Sequence, residues 1–245
     1  MTEIRFFGKT DTGLKRPNNE DAFLVRPDKG LFALADGMGG AAAGEIASQA
    51  FVETALEVFS ENDEPPERKT RELIEDTFRL ANRRILDNVN TNPRHQGMGC
   101  TAELVAFDHR WFFLGHVGDS RTYLLRNGYL RRLTRDHSLI QQQVDEGLLT
   151  PLEARRHPLR NVILRAVGVG EKLSVDIIQG EGRTGDVFLL CSDGLTDMVE
   201  DRVIEEVLLS TLELPQKAER LTTLAKSAGG YDNITVILCE IISNL

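Results

Sequence analysis

Long apolar runs are missing from this chain. The longest, Leu31–Ala35 and Val187–Cys191, are five residues each, against roughly 18 needed to cross a bilayer. No membrane span is expected. The opening Met-Thr-Glu-Ile-Arg-Phe-Phe has no basic patch followed by an apolar stretch, so no secretory signal is read there and the expected location is cytoplasmic. Positive charge is also short, with 29 Lys and Arg against 38 Asp and Glu and a net charge of −9. Such a surface repels phosphate backbones and anionic lipid, which argues against a nucleic-acid or membrane-surface binder. Cysteine is scarce. Cys100, Cys191 and Cys239 lie in or beside apolar stretches without metal-finger spacing and read as buried free thiols of a reducing compartment. Repeats and Ser/Gly-rich or Pro-rich linkers are lacking, so residues 1–245 read as one domain, with a monomer as the default. Disorder is excluded as well, since 41% of residues are hydrophobic and 27% charged.

What is present alternates between strands and helices. Ile4–Gly8, Ala22–Arg26 and Leu31–Ala35 read as short strands. Two helices follow, one with Ala47, Phe51, Ala55 and Val58 on a face, the other with Ile74, Phe78, Ala81, Ile85 and Val89. The polar, Pro-containing stretch Ser60–Thr70 reads as the loop between them. Strands return at Thr101–Phe107, Trp111–His116, Thr122–Arg126 and Tyr129–Leu133, with Asn127-Gly128 as a hairpin turn. Ser138–Arg160 is helical in tone, broken at Gly147 and Pro151. Strands at Leu173–Ile178 and Val187–Cys191, helices near Arg202–Leu209 and Gln216–Ala228, and a strand at Ile234–Ile241 complete the chain. Hairpin-linked strands favour antiparallel pairing over βαβ winding. The expected fold is α+β, a four-layer α-β-β-α sandwich of two mainly antiparallel sheets with helices outside.

The acids stand where strands give way to turns. Asp36 ends one apolar strand and Asp193 another; Asp119 follows Val117-Gly118, Asp232 precedes Asn233, and Glu20-Asp21 open the second strand. Each could be an ordinary Asx turn or helix cap. Partly buried acids without local cations are costly, however, and several carboxylates beside glycine carbonyls make an all-oxygen nest suited to Mg²⁺ or Mn²⁺. Gly37-Met38-Gly39-Gly40-Ala41-Ala42 fits a loose dinucleotide fingerprint, but that motif needs a βαβ unit and here a second long helix follows. Arg16, just ahead of the acidic pair, suits a bidentate grip on phosphate or a surface salt bridge.

Taken in order, Arg16…Asn19-Glu20-Asp21, Ala35-Asp36-Gly37-Met38-Gly39-Gly40, Gly97…Gly99-Cys100-Thr101-Ala102, Gly115-His116-Val117-Gly118-Asp119-Ser120-Arg121, Asp136-His137-Ser138, Cys191-Ser192-Asp193-Gly194-Leu195 and Asp232-Asn233-Ile234-Thr235-Val236 resemble the metal-dependent protein phosphatases of the 2C type, most closely the small bacterial single-domain members. The resemblance runs from about Phe7 to the end. It implies the same four-layer sandwich and hydrolysis of phosphoserine and phosphothreonine on proteins, with Mn²⁺ or Mg²⁺ activating a bridging water and no phosphoenzyme. Asp36 is implied to bridge two ions, with the Gly37 carbonyl on one and Asp193 and Asp232 on the other. Asp21, with Glu20 as a further candidate, is implied to act through water. Asp119 with Asp193 resembles the site of a third, weaker ion, and Arg16 matches the phosphate-binding arginine; Arg16, Asp36 and Asp193 are the implied catalytic set. The implied partners are phosphorylated proteins, among them a bacterial serine/threonine kinase or its substrates.

One departure stands out. The bacterial relatives usually carry His where this chain has Ala41, and alanine has no proton for the leaving group. His137 and His157 are alternatives, but His137 belongs to a motif of the family that reads as structural, and each could equally be an ordinary histidine. Residues 141–165 correspond to the flap beside the family's cleft and carry Arg155, Arg156 and Arg160, either a steering patch or a solvated face. Ala41 leaves room for a second reading, a catalytically weak relative that binds phosphoproteins as a regulatory module.

Overall fold

The computed structural model describes residues 3–39, 43–60 and 67–243. In chain order the strands and helices are β1 (Glu3–Asp11), β2 (Asp21–Arg26), β3 (Leu31–Met38), α1 (Gly44–Ser60), α2 (Glu67–Thr91), β4 (Gly99–Cys100), β5 (Ala102–Asp108), β6 (Trp111–Val117), β7 (Arg121–Arg126), β8 (Tyr129–Arg132), α3 (Leu139–Asp145), α4 (Pro151–Arg155), β9 (Asp176–Glu181), β10 (Val187–Cys191), α5 (Asp193–Thr196), α6 (Asp201–Leu209), α7 (Leu214–Ser227) and β11 (Ile234–Ser243). One sheet runs β1-β11-β10-β7-β8; the other runs β2-β3-β5-β6-β9, with β4 pairing the end of β3. Every pairing is antiparallel, as the hairpin-rich order predicts.

Alternation along the strands divides the apolar residues into layers, because successive side chains leave a strand on opposite faces. Leu31, Ala33 and Ala35 of β3 face the α1 and α2 stripes of Ala47, Phe51, Ile74 and Phe78. The Phe51 and Phe78 rings meet edge to face at 4.9 Å. On the other side, Leu189 and Leu238 face Ile204, Leu208, Ala218 and Leu221 of α6 and α7. Between the sheets lie Phe32, Leu34, Val105, Phe112, Leu114, Leu124, Phe188, Leu190, Ile237 and Cys239. These three apolar layers define the expected α-β-β-α sandwich. The three cysteines are free and buried. Among the described residues no helix is long and apolar enough to cross a membrane.

Some boundaries differ from the sequence reading. The strand expected at Leu173–Ile178 begins at Asp176, where pairing with β6 starts at His116; Leu173 and Val175 pack instead against the helix-side core. Helix α2 starts at Glu67, inside the loop expected at Ser60–Thr70. Residues 61–66 of that loop lie outside the described residues. Helix α7 begins at Leu214 rather than Gln216, because Pro215 sits in its first turn and Glu213 and Gln216 form a capping box. Pro151 likewise opens α4, behind the Thr150–Glu153 capping box.

Candidate active site

The inner faces of both sheets change character at one end. The parity that places Phe23 and Val25 between the sheets also places Asp21 there. By the same rule Asp36 follows Leu34, Glu103 precedes Val105, His116 follows Leu114, Thr122 precedes Leu124, and Thr235 precedes Ile237. The dry seam of the sandwich thus opens onto a polar cluster. Asp21 and Asp36 are direct cross-strand partners. Ser192 Oγ and Thr235 Oγ1 donate to Asp21 Oδ2 at 2.8 and 2.6 Å. Thr101 fixes the end of β3: its N–H donates to the Asp36 carbonyl at 2.9 Å, and its hydroxyl accepts from Asp36 N–H at 3.3 Å. The same hydroxyl meets Ser120 Oγ at 2.7 Å, beside Asp119.

A cleft of about 400 Å³ opens above this cluster, lined by Arg16, Glu20, Asp36, Gly37, Asp119, Asp193 and Asp232, with Thr101 and with Asn161 and Ile163 of the flap. Asp21 lies beneath the lining and Glu20 on it. Gly37 is required by close approach: a Cβ there would stand 2.2 Å from the Gly44 carbonyl oxygen. Asn233 fastens the loop carrying Arg16, accepting from Glu20 N–H at 2.8 Å and donating to the Thr12 and Asn18 carbonyls. Arg16, half exposed, donates to Asp232 Oδ2 at 2.7 Å. His137 and His157 do not line the cleft. Ala41 and Gly40 lie outside the described residues.

The electrostatics are those of crowded acids. Burial first, and then Asp21, Asp193, Asp119 and Asp232, hold the Asp36 carboxyl well above its ordinary range. Burial and then Asp119 do the same for Asp193. Burial, opposed by the Thr235 and Ser192 bonds, pushes Asp21 up to about 6; burial and then Asp136 push Asp119 up to about 7. Burial also raises Glu20. The bond to Asp232 raises Arg16, so it stays cationic.

Hard oxygen donors with raised pKa values suit a divalent cation. Three buried oxygens, Asp21 Oδ1, Asp119 Oδ1 and Asp193 Oδ1, have no hydrogen-bond partner, and an ion would satisfy such orphans while relieving the repulsion. Among the described residues no group of three or more Asp, Glu, His or Cys side chains is arranged to hold an ion as it stands; Asp232 is turned to Arg16 and to the Asn233 N–H at 2.8 Å. The donor chemistry fits, and ligation asks for that pair to part.

Sequence reasoning missed the polar supports. Ser192, Thr235, Thr101 and Asn233 stand inside the quoted motifs; of the four only Thr235 lies within a strand, where alternation could have pointed it inward. Asn161 and Ile163 carry no such signal. Also missed was a buried pair on β5 and β6: His116 Nδ1 bonds Glu103, whose other oxygen accepts from Thr122 Oγ1 at 2.6 Å, and His116 Nε2 meets the Arg135 carbonyl at 2.9 Å. Burial works against charge on His116, but Glu103 outweighs it and holds the ring above its usual pKa.

Residues 15–227 match the family described as protein phosphatase 2C. The serine/threonine protein phosphatase PstP of Mycobacterium tuberculosis is 40% identical over 98% of this chain, which spans 45% of that relative's length. The serine/threonine phosphatase stp of Listeria monocytogenes is 38% identical over 95% of this chain and 94% of its own. The crystal structure of the catalytic domain of PstP in complex with two manganese ions superposes with a TM-score of 0.90 at 39% identity, covering 98% of this chain and 99% of that one.

Proposed function

Since the chain belongs to the protein phosphatase 2C family, we propose that it hydrolyses phosphoserine and phosphothreonine on proteins by a metal-activated water, without a phosphoenzyme. The observation that carries this reading is the meeting of Asp36, Asp119, Asp193 and Asp232 with Arg16 in one cleft, with two of those acids bearing buried orphan oxygens. Asp36, the Gly37 carbonyl, Asp193 and Asp232 would hold two Mn²⁺ or Mg²⁺ ions, Asp21 and Glu20 would act through water, and Asp119 with Asp193 would take a third, weaker ion. When bound, the ions neutralise the carboxylates and supply a water of lowered pKa as nucleophile.

The chain's own residues do the rest. Arg16, half exposed at the cleft wall, would grip the phosphate through its planar fork and balance the charge that gathers on the equatorial oxygens. The Asn233 clasp on the 12–20 loop sets where that guanidinium stands. Thr101 is the one hydroxyl among the described lining residues, and its bonds to Asp36 N–H and Ser120 occupy it; this argues against a hydroxyl of the chain as the nucleophile. Phosphorylated proteins, including a serine/threonine kinase or its substrates, are the proposed partners of a cytoplasmic monomer.

The test is manganese-dependent release of phosphate from a phosphothreonine peptide. Turnover that is abolished in Asp193→Asn supports the proposal. Binding of the peptide without turnover would point instead to the regulatory module.

A further inference from the structure

His137 stands outside the cleft, yet three pieces of the fold end on it, two of which reach the site. The first is the turn before Asp119. The His137 N–H donates to the Gly118 carbonyl at 2.7 Å, and the Gly118 N–H donates back to His137 Nδ1 at 3.1 Å. Gly118 holds a φ of +114°, and a Cβ there would stand 2.5 Å from Thr101 Cβ. Asp119, with its orphan oxygen, comes next in the chain. A ring of two hydrogen bonds therefore fixes the peptide that aims Asp119.

The second piece is the return of the flap. The His137 carbonyl accepts from Leu164 N–H at 2.7 Å, Leu139 N–H donates to the Val162 carbonyl at 2.9 Å, and Ser138 pairs with Ile163. The flap segment so held includes Asn161 and Ile163, its contribution to the cleft wall. The third piece is the start of β9. Because Nδ1 accepts, the hydrogen sits on Nε2 and points at Asp176 Oδ2, 3.2 Å away; Arg165 bonds the other oxygen of Asp176 at 3.1 Å. The ring itself lies against His116, centroids 4.6 Å apart, which Glu103 and the Arg135 carbonyl hold in place.

We infer that His137 is a positioning residue that sets Asp119 and the cleft-facing return of the flap as one unit. The inference rests on the reading of Asp119 as an ion ligand. It carries a reciprocal consequence: if both hang on one residue, Asp119 through the ring and the flap through the backbone, ion uptake steadies the flap and a steady flap favours uptake.

The experiment uses manganese alone, with calorimetry for uptake and limited trypsin digestion for the flap, whose Arg155, Arg156 and Arg160 are exposed. His137→Ala should weaken manganese uptake about tenfold, the usual order for loss of a ligand-orienting partner. It should speed nicking of the flap about fivefold, because the ring's bonds to Gly118 N–H and Asp176 hold in place the backbone whose carbonyl anchors Leu164 N–H. Manganese should slow nicking of the unmodified protein and fail to do so in the variant. A general loss of packing would not distinguish amides, but this clamp does. His137→Asn puts an acceptor where Nδ1 was and should restore uptake, whereas His137→Gln reaches Asp176 only and should not. These two arms decide the matter even if the alanine variant fails to fold. Equal uptake and equal nicking across the variants would overturn the inference, as would persistent manganese protection in His137→Gln. An unmodified protein that takes up no manganese overturns the ion reading itself, and the nicking rates then still decide whether the flap hangs on His137.

Discussion

Thr235 Oγ1 reaches across from one sheet to donate to Asp21 Oδ2 in the other at 2.6 Å. With Ser192 beside it, this bond seats a buried carboxylate between β2 and β11 and leaves Asp21 Oδ1 as the unspent oxygen. Thr235→Val should cost about 1–3 kcal/mol of stability. The loss should be larger at pH 8 than at pH 5, because ionised Asp21 needs the donor more. Chemical denaturation at the two pH values checks this.

The raised acids fix the sign of the pH dependence. Asp21 and Asp119 move from 3.8 up to about 6 and about 7, and burial with the neighbouring acids also holds Asp36 and Asp193 well above their ordinary range. Between the unfolded and folded pKa values the folded chain binds more protons, so stability falls as pH rises. The metal-free protein should therefore melt at a lower temperature at pH 8 than at pH 5. Manganese should reverse most of that loss at pH 8, and its uptake near pH 6 should release protons. Scanning calorimetry with and without a chelator, and titration in buffers of different ionisation heat, measure both. A metal-free protein equally stable at the two pH values would contradict the crowded-acid account.

The Arg16–Asp232 pair predicts a split between ion and substrate. Arg16→Ala removes the partner that turns Asp232 away, so manganese uptake should hold or tighten. Loss of the charge-assisted phosphate contact should lower kcat/KM on a phosphothreonine peptide roughly 10- to 100-fold. Uptake that weakens in parallel with turnover would place Arg16 on the ion side instead.

Arg155 of the flap stands 3.7 Å from Glu200, and Arg160 lies 3.2 Å from Asp197, one helical turn past Asp193. Charge reversal at Arg155 and Arg156 should raise KM for phosphorylated protein and leave an aryl phosphate unchanged. The comparison of the two substrates on one variant is the measurement.

Ala41 supplies the remaining test. A serine or threonine leaving group needs a proton more than an aryl group does. Ala41→His should speed turnover of a phosphothreonine peptide more than that of an aryl phosphate, read as the ratio of the two rates.

The layers were legible because their signals are local. The stripe Ile74, Phe78, Ala81, Ile85 and the hairpin Asn127-Gly128 need no partner to be recognised. The start of β9 was not, since Leu173 and Val175 are as apolar as a strand requires and only the reach of β6 decides where pairing begins. The acids of the site announced themselves as charges at the ends of dry strands. Their supports did not: Thr101, Ser192 and Thr235 are small polar residues whose task depends on what lies opposite. Asn161 and Ile163 come to the cleft only through the flap's return past His137, a long-range contact that no spacing encodes. The turn of Asp232 toward Arg16 is likewise a meeting of residues far apart in the chain.

The shared parity of the inner faces binds folding quality to chemistry. A chain threaded one residue out of step along β3 would turn Phe32 and Leu34 out of the seam and swing Asp36 to the outer face in the same movement. Misassembled copies would thereby lose the acid cluster together with the packed seam.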